Sequence, residues 1–199
     1  MKKPFLIGLT GSIGMGKSTT ANFFDLHSDV EIWDADAAVH AIYAAGGTGV
    51  EPIKRLCPDC IIDGAVSRPQ LKVWIGQNSS RIRKLENIVH PLVADHRAKF
   101  VATAKKGILV FDIPLLLESS PETPFDLIVV VSTQAEEQRR RVMERRGMTE
   151  DLFSLLLARQ MPDEEKRARA DVIIATDTLD ETQAQVDQLL NCIREDYYA

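Results

Sequence analysis

The apolar residues of this chain fall into short runs separated by longer stretches of a different periodicity. Mainly apolar runs occur at 5–9, 31–33, 108–111, 127–131 and 172–174. Because these runs are too short for helices and have no regular polar alternation, they predict strands that are buried on both faces. Strands of this kind favour a five-stranded parallel sheet with helices on both of its faces.

The segments between the runs carry the apolar spacing of helices. Helices are predicted from Lys17 to about Leu26, over Ala35–Ala45 and over Ala135–Ala170. Asp180 is predicted to cap a final helix. The apolar face of that helix consists of Val186, Leu189, Leu190 and Ile193. The alternation of strands and helices predicts an α/β fold.

Residues 50–106 interrupt the alternation of strands and helices. They follow a glycine-rich break at 46–49, and their apolar positions recur mostly at helical spacing. Pro69 and Pro91 are predicted to mark turns or helix starts. We interpret this segment as a helical insertion with a small core of its own.

Composition narrows the classes of function. The chain has 199 residues, 45% of them hydrophobic, and a net charge of -5, which suits one domain with a sizeable core. An acidic chain is a poor general binder of nucleic acid, since neutralising phosphates takes a basic surface. No window reaches the ~18 apolar residues of a membrane helix, and no signal-peptide pattern is present. We expect a cytoplasmic protein, a monomer or a small homo-oligomer, with no nucleic-acid or membrane partner.

Cys57 and Cys60 have the CxxC spacing of redox and zinc sites. A zinc site lacks ligands, because the chain contains no second CxxC and no HxxxH. We therefore expect a chance pair on the surface or in a loop, with a functional thiol pair as the alternative.

The stretch GLTGSIGMGKSTT, residues 8–20, contains the full GxxxxGK[ST] pattern between a strand and a helix. Backbone N–H groups in such a loop cradle phosphates, aided by the helix N-terminus. Lys17 is predicted to reach the β- and γ-phosphates of a nucleotide, and Ser18 to bind Mg²⁺. The predicted nucleotide-binding residues of the loop are Gly11, Ile13, Gly14, Met15, Gly16, Lys17, Ser18 and Thr19.

Two acidic residues follow the second predicted strand, in Asp34-Ala35-Asp36. Sites in open α/β sheets lie at the carboxyl ends of strands. One carboxylate can orient an acceptor hydroxyl and take its proton, while the other caps the helix or helps to organise the metal. His40 follows Asp36 by four residues and shares its helix face. A structural histidine is the alternative for His40.

An arginine-rich segment follows the fourth predicted strand. Its five arginines fall within eight positions, opposed only by Glu144, and Gly147 follows as a candidate hinge. Helical spacing places Arg141 and Arg145 on one face, and both are predicted to bind the nucleotide. Arginines that close over phosphates stabilise charge and exclude water. The alternative is a solvated helix face.

These segments together resemble the dephospho-coenzyme A kinase family over most of the chain. The matching segments are LTGSIGMGKST, DADAAVH, DGAVSRPQL (63–71), HPLV (90–93), FDIPLLLE (111–118), QRRRVMERRGMT (138–149) and ARQM (158–161). Departures from the family pattern are Ser12 and Met15 in the loop, Arg146 in place of a frequent Asp, and IIATD (173–177) in place of an Asp-Asn pair.

The resemblance implies transfer of the ATP γ-phosphate to the ribose 3′-hydroxyl of dephospho-CoA, the last step of CoA synthesis, with Mg²⁺. It implies that Asp36 is the catalytic base, that Lys17 binds phosphate and that Arg145 is a catalytic arginine of a lid. The predicted substrate-binding residues are Asp34, Asp36, His40, His90, Pro114, Leu115 and Leu116.

The whole chain is predicted to form a single P-loop kinase domain. Guanine-nucleotide switch motifs, DxxG and NKxD, are absent from the sequence. The alternatives are a nucleoside or nucleotide monophosphate kinase and a regulatory module that binds nucleotide without transferring phosphate. The predicted parts are a nucleotide core (about 1–49, 107–134 and 171–199), an acceptor subdomain (about 50–106) and a lid (about 135–170).

Overall fold

The computed structural model describes residues 3–118 and 125–198. Contacts divide the chain into two compact units. The first unit joins the residues up to Trp33 with those from Lys105 onward, and the second unit is Asp34–Ala104. The finer division into a core, an acceptor subdomain and a lid stays a prediction.

The described residues form strands and helices that follow one another along the chain. The strands are β1 (Phe5–Thr10), β2 (Val30–Asp34), β3 (Ile61–Ile62), β4 (Ala65–Val66), β5 (Ile108–Asp112), β6 (Leu127–Ser132) and β7 (Val172–Ala175). The helices are α1 (Lys17–Asp25), α2 (Ala35–Tyr43), α3 (Val50–Leu56), α4 (Arg68–Gly76), α5 (Ser80–Thr103), α6 (Ala135–Met143), α7 (Glu150–Leu157), α8 (Asp163–Ala168) and α9 (Leu179–Tyr198). Among these helices, none is both long and apolar enough to cross a bilayer.

The predicted α/β fold with a five-stranded parallel sheet is confirmed. The strand order is β2-β5-β1-β6-β7, so β1 is the central strand. Ile7 of β1 pairs with Val110 of β5, and Leu9 pairs with Val129 of β6. These four side chains are completely buried, because helices cover the central strands. The loop that follows β1 therefore starts from the buried centre of the sheet.

The final helix has the predicted apolar face but a different start. Val186 and Leu190 of α9 are fully buried. The prediction that Asp180 caps the helix is wrong, since α9 begins at Leu179 and Asp180 lies in its first turn. Thr178 takes this role, because its hydroxyl oxygen accepts the Glu181 N–H at 3.2 Å. A threonine followed three residues later by glutamate is an ordinary start signal for a helix.

The long helix of the second unit passes through a proline. Because α5 runs without interruption over Ser80–Thr103, the prediction that Pro91 marks a turn or a helix start is wrong. Proline costs a helix one backbone hydrogen bond. Packing of α5 against α2, α3 and α4 offsets this cost. Pro69 lies in the first turn of α4, as predicted, where the missing N–H costs nothing.

A short hairpin in the second unit was not predicted, since this segment was interpreted as helical. Strands β3 and β4 pair in antiparallel fashion around Asp63 and Gly64. Both residues have positive φ, 49° and 77°. A two-residue type I′ turn needs positive φ at both positions, and Asp-Gly is a preferred pair for it. The signal was therefore present in the sequence as Asp-Gly between two apolar pairs.

The expectation that Cys57 and Cys60 form a chance pair on the surface or in a loop is wrong. The two residues form a disulfide, and both are buried. They belong to the apolar cluster of the second unit, together with Ile53, Val66 and Leu71. The pair is therefore a component of this core.

Candidate active site

The phosphate loop joins the end of β1 to the start of α1, and two of its glycines have positive φ. The values are 80° at Gly14 and 89° at Gly16. A Cβ at Gly14 would lie 2.5 Å from a methyl group of Val142, and one at Gly16 would lie 2.9 Å from Oγ1 of Thr176. Both positions therefore require glycine for conformation and for space.

Several backbone N–H groups of this loop are open. Within the described part of the chain, the N–H groups of Gly14, Gly16, Lys17 and Ser18 have no hydrogen-bond partner. The N–H of Met15, in contrast, donates to the Ser12 carbonyl at 3.1 Å. Open N–H groups at a helix N-terminus form an anion site, because their dipoles point toward the same place.

Lys17, the first residue of α1, forms an ion pair with Asp112. Asp112 is the last residue of β5, the neighbour of β1 in the sheet, and is 5% exposed. The pair holds the Lys17 ammonium at the carboxyl edge of the sheet, next to the loop. In the sequence, Asp112 directly follows the apolar run at 108–111, and no role was predicted for it. The signal in the sequence was an acidic residue directly after a fully apolar run.

We expect Gly16→Ala to abolish nucleotide affinity and to destabilise the fold. Thr176 cannot retreat from the added methyl group, because its hydroxyl donates to the Met15 carbonyl at 2.8 Å. Crowding of this kind costs about 1–3 kcal/mol in the free energy of unfolding, beyond the strain of positive φ. Urea denaturation and calorimetric titration with MgATP measure the two effects.

Gly46→Ala is the matched control for Gly16→Ala. Gly46 has a φ of 77°, and a Cβ there would meet nothing within 4 Å. This variant therefore isolates the backbone strain, about 1 kcal/mol. Equal losses of stability in the two variants, with MgATP affinity retained in both, would contradict the crowding argument.

Arg141 connects the arginine-rich segment to the residue after β7. Its guanidinium donates to the Thr176 carbonyl at 2.6 Å and to the Thr176 hydroxyl at 3.2 Å. Its Nε donates to Glu137 at 2.7 Å. Because Thr176 also contacts the phosphate loop through Met15, Arg141 lies within one hydrogen-bond network with that loop. Its predicted role in nucleotide binding stays a prediction.

The surroundings of the other arginines correct two expectations. Helix α6 ends at Met143, so Arg145 lies beyond it and does not share a helix face with Arg141. The segment is also not opposed by Glu144 alone, since Glu137 pairs with Arg140 and Arg141, and Glu150 pairs with Arg139. The Arg140 and Arg141 guanidinium groups lower the pKa of Glu137 to about 2. Among the described residues, Arg145 forms no ion pair or side-chain hydrogen bond.

The second unit carries the two predicted acidic residues at the start of α2. Asp34 is the N-cap, and its carboxylate accepts the Ala37 N–H at 2.9 Å. Asp36 lies in the first turn and is exposed, and in residues 3–118 and 125–198 its carboxylate has no hydrogen-bond or ion-pair partner. His40 is exposed one helical turn later. The structure thus assigns the capping role to Asp34 and leaves Asp36 open.

The remaining predicted substrate-binding residues lie in both units. His90 is an exposed residue of α5, in the second unit. Pro114, Leu115 and Leu116 form the turn after β5, in the first unit. Thr10 holds this turn by donating its hydroxyl to the Pro114 carbonyl at 3.2 Å. Leu116 is buried, whereas Leu115 is 45% exposed. Their contacts with a substrate stay predictions.

The open phosphate loop starts from the central strand of this parallel sheet, and a lysine is the first residue of the next helix. These features define the chain as a P-loop kinase by fold. The family model described as dephospho-CoA kinase matches residues 5–181. The dephospho-CoA kinase of Ruegeria pomeroyi is 52% identical over 190 residues, which cover 96% of each chain. The chain therefore belongs to the dephospho-CoA kinase family.

Solved structures agree with this fold. The Thermus thermophilus protein TT1252 superimposes with a TM-score of 0.83 at 30% identity, covering 96% of this chain and 98% of that one. The dephospho-CoA kinase of Campylobacter jejuni superimposes with a TM-score of 0.70 at 22% identity, covering 96% of this chain and 97% of that one. At that identity, the second likeness bears on the fold alone.

Proposed function

We propose that this protein transfers the γ-phosphoryl group of ATP to the ribose 3′-hydroxyl of dephospho-CoA, releasing ADP and CoA. The observation that carries the proposal is the set of open N–H groups in the phosphate loop, with the Lys17 ammonium held next to them. Family membership over nearly the full length supports dephospho-CoA as the acceptor.

On the donor side, the loop N–H groups would bind the triphosphate oxygens. Lys17 would move from Asp112 to the β- and γ-phosphates and stabilise the charge that develops during transfer. Within the described residues, no cluster of three or more His, Cys, Asp or Glu side chains could hold a metal ion. This fits Mg²⁺, which usually has few protein ligands beside phosphate oxygens. The exposed Ser18 hydroxyl would hold the ion, which neutralises phosphate charge when bound.

On the acceptor side, we assign Asp36 as the base that receives the proton of the 3′-hydroxyl. The support is local, since Asp34 is already engaged as a helix cap and Asp36 is exposed without a partner among the described residues. In a largely dissociative transfer, proton removal is late, so orienting the hydroxyl matters at least as much as basicity. His40, on the same face of α2, would bind the acceptor next to Asp36.

The arginines of the arginine-rich segment would contribute unequally to nucleotide binding and phosphate transfer. Arg140 and Arg139 have acidic partners, and Arg141 is bound to Thr176 and Glu137. Arg145 has no such partner among the described residues and lies two residues before Gly147, whose φ is 80°. We therefore propose Arg145 as the arginine that stabilises the transferring phosphate, with Arg141 binding the nucleotide.

A coupled assay tests the proposal directly. Purified protein with MgATP and dephospho-CoA is expected to release one ADP per CoA formed, and product analysis is expected to locate the new phosphate on the 3′-hydroxyl. Activity only on a nucleoside monophosphate would replace the proposed acceptor. ATP binding without transfer to any of these acceptors would favour a regulatory module.

A further inference from the structure

Two glutamine side chains bind both backbone polar groups of Ile13, a residue of the phosphate loop. The Ile13 N–H donates to Oε1 of Gln160 at 3.0 Å, and the Ile13 carbonyl accepts from Nε2 of Gln138 at 2.7 Å. Gln138 lies in α6 and is 6% exposed, and Gln160 follows α7. Both the donor and the acceptor of Ile13 are therefore satisfied by side chains from far along the chain.

Ile13 lies directly before the open part of the loop. The next N–H groups, those of Gly14, Gly16, Lys17 and Ser18, have no partner among the described residues. A loop with many open N–H groups loses conformational entropy when it orders around an anion. Anchoring its Ile13 end reduces that loss, because the chain already has the conformation that phosphate binding needs.

Gln160 is itself fixed by its neighbour in sequence. The Met161 N–H donates to Oε1 of Glu118 at 2.9 Å, and the same oxygen is 2.9 Å from the ammonium of Lys166 in α8. The Lys166 side chain is completely buried. Burial raises the pKa of Glu118, but Lys166 and the Met161 N–H outweigh this, and the pKa lies below its usual value. Glu118 is thus a carboxylate that binds both partners.

A second contact fixes the same segment to the sheet. The Ser132 hydroxyl, at the end of β6, donates to Asp163 at 2.7 Å. Glu118 lies in the turn after β5, and Ser132 is the last residue of β6. The segment from Gln160 to Lys166 is therefore attached to the chain at the ends of two strands of the sheet. These attachments leave Gln160 little freedom to move away from Ile13.

From this geometry we propose that Gln160 and Gln138 are positioning residues that hold the phosphate loop in its nucleotide-binding conformation, with Glu118 and Lys166 fixing Gln160 in place. The inference rests on the proposed function only in taking ATP as the bound anion. It differs from a catalytic role, because neither glutamine needs to touch the reacting atoms.

Gln160→Ala tests the inference through binding and amide exchange. Loss of this partly buried hydrogen bond is expected to weaken MgATP binding about fivefold to tenfold by calorimetry. Hydrogen exchange of the Ile13 amide, measured by NMR, is expected to be faster than in the wild type by at least the same factor. In the coupled assay, the KM for ATP rises, whereas the KM for dephospho-CoA does not change.

Two further variants separate positioning from general damage. Gln188→Ala, an exposed glutamine of α9, is the control for a glutamine-to-alanine change, and it should leave MgATP affinity and Ile13 exchange as in the wild type. Gln160→Glu keeps an oxygen that accepts from Ile13, so slow exchange of this amide should be retained. Gln138→Glu replaces the donor to the Ile13 carbonyl by an oxygen and should weaken MgATP binding.

Wild-type MgATP affinity in Gln160→Ala, or unchanged exchange of its Ile13 amide, would overturn the inference. Equal losses in Gln160→Ala and Gln188→Ala would overturn it too. The calorimetric titration and the measurement of amide exchange do not depend on phosphate transfer. If the wild type failed to phosphorylate dephospho-CoA but Gln160→Ala still weakened MgATP binding, the proposed function would fall and the positioning role would stand.

Discussion

Lys17→Ala is expected to lower kcat by about 10²–10³-fold, the usual cost of removing one group that stabilises transition-state charge. The lysine heads α1 beside open loop N–H groups, and its ion pair with Asp112 keeps the ammonium near them. The alanine variant keeps the backbone N–H groups, so it should still bind nucleotide, although less tightly. Steady-state kinetics with MgATP and dephospho-CoA, together with calorimetric titration, measure both effects.

Loss of the partly buried ion pair also affects stability, so the kinetics need a folding control. Lys99→Ala removes a lysine that pairs with Asp95 at 2.7 Å on the surface of α5. Exposed pairs of this kind contribute about 0–1 kcal/mol, so stability and kcat should stay close to wild type. Lys17→Arg keeps a positive charge beside Asp112 but presents a planar fork in place of a point charge. A kcat near wild type in a folded Lys17→Ala protein would contradict the role assigned to the ammonium.

Asp36→Asn is the second change with a large expected effect. General-base groups contribute about 10²–10⁴-fold, and asparagine has the same shape without the ability to take the proton. We therefore expect kcat to fall in this range, while the affinity for MgATP is unchanged. Rapid-quench measurement of a single turnover separates the transfer step from product release.

Asp34→Asn is the matched control, because it makes the same chemical change two residues earlier. Asparagine is as good an N-cap as aspartate, so the hydrogen bond from Ala37 can persist and stability should change little. We expect most of kcat to remain in Asp34→Asn. The reverse result, with Asp36→Asn near wild type and Asp34→Asn inactive, would exchange the roles of the two carboxylates.

Much of the fold and the phosphate loop could be predicted because both depend on local patterns. The apolar runs at 5–9 and 127–131 became the start of β1 and most of β6, since continuous apolar residues are compatible only with burial on both faces. The loop glycines could be assigned because positive φ and close approach leave a narrow choice of residue. The uninterrupted helix through Pro91 could not be predicted, because packing of α5 against α2, α3 and α4 overrides a local helix-breaking signal.

The contact partners of the site residues could not be predicted from the sequence. Asp112, Gln138 and Gln160 all contact the phosphate loop or its lysine from more than 90 positions away in the chain, as separations of 95, 125 and 147 residues show. No periodicity connects residues so distant. The buried disulfide between Cys57 and Cys60 was missed for a related reason, since CxxC spacing alone does not indicate burial.

The sequence by itself determined the alternation of strands and helices, the loop that can hold a phosphate and the pair of acidic residues after β2. These features depend on residues that are neighbours in the chain, where propensity, spacing and conformational freedom act directly. Tertiary structure alone decided that Asp112 pairs with Lys17, that Arg141 bonds to Thr176 and that two glutamines hold Ile13. The physical reason is that a hydrogen bond or an ion pair requires contact within a few ångströms, and only the packing of strands and helices brings such distant residues together.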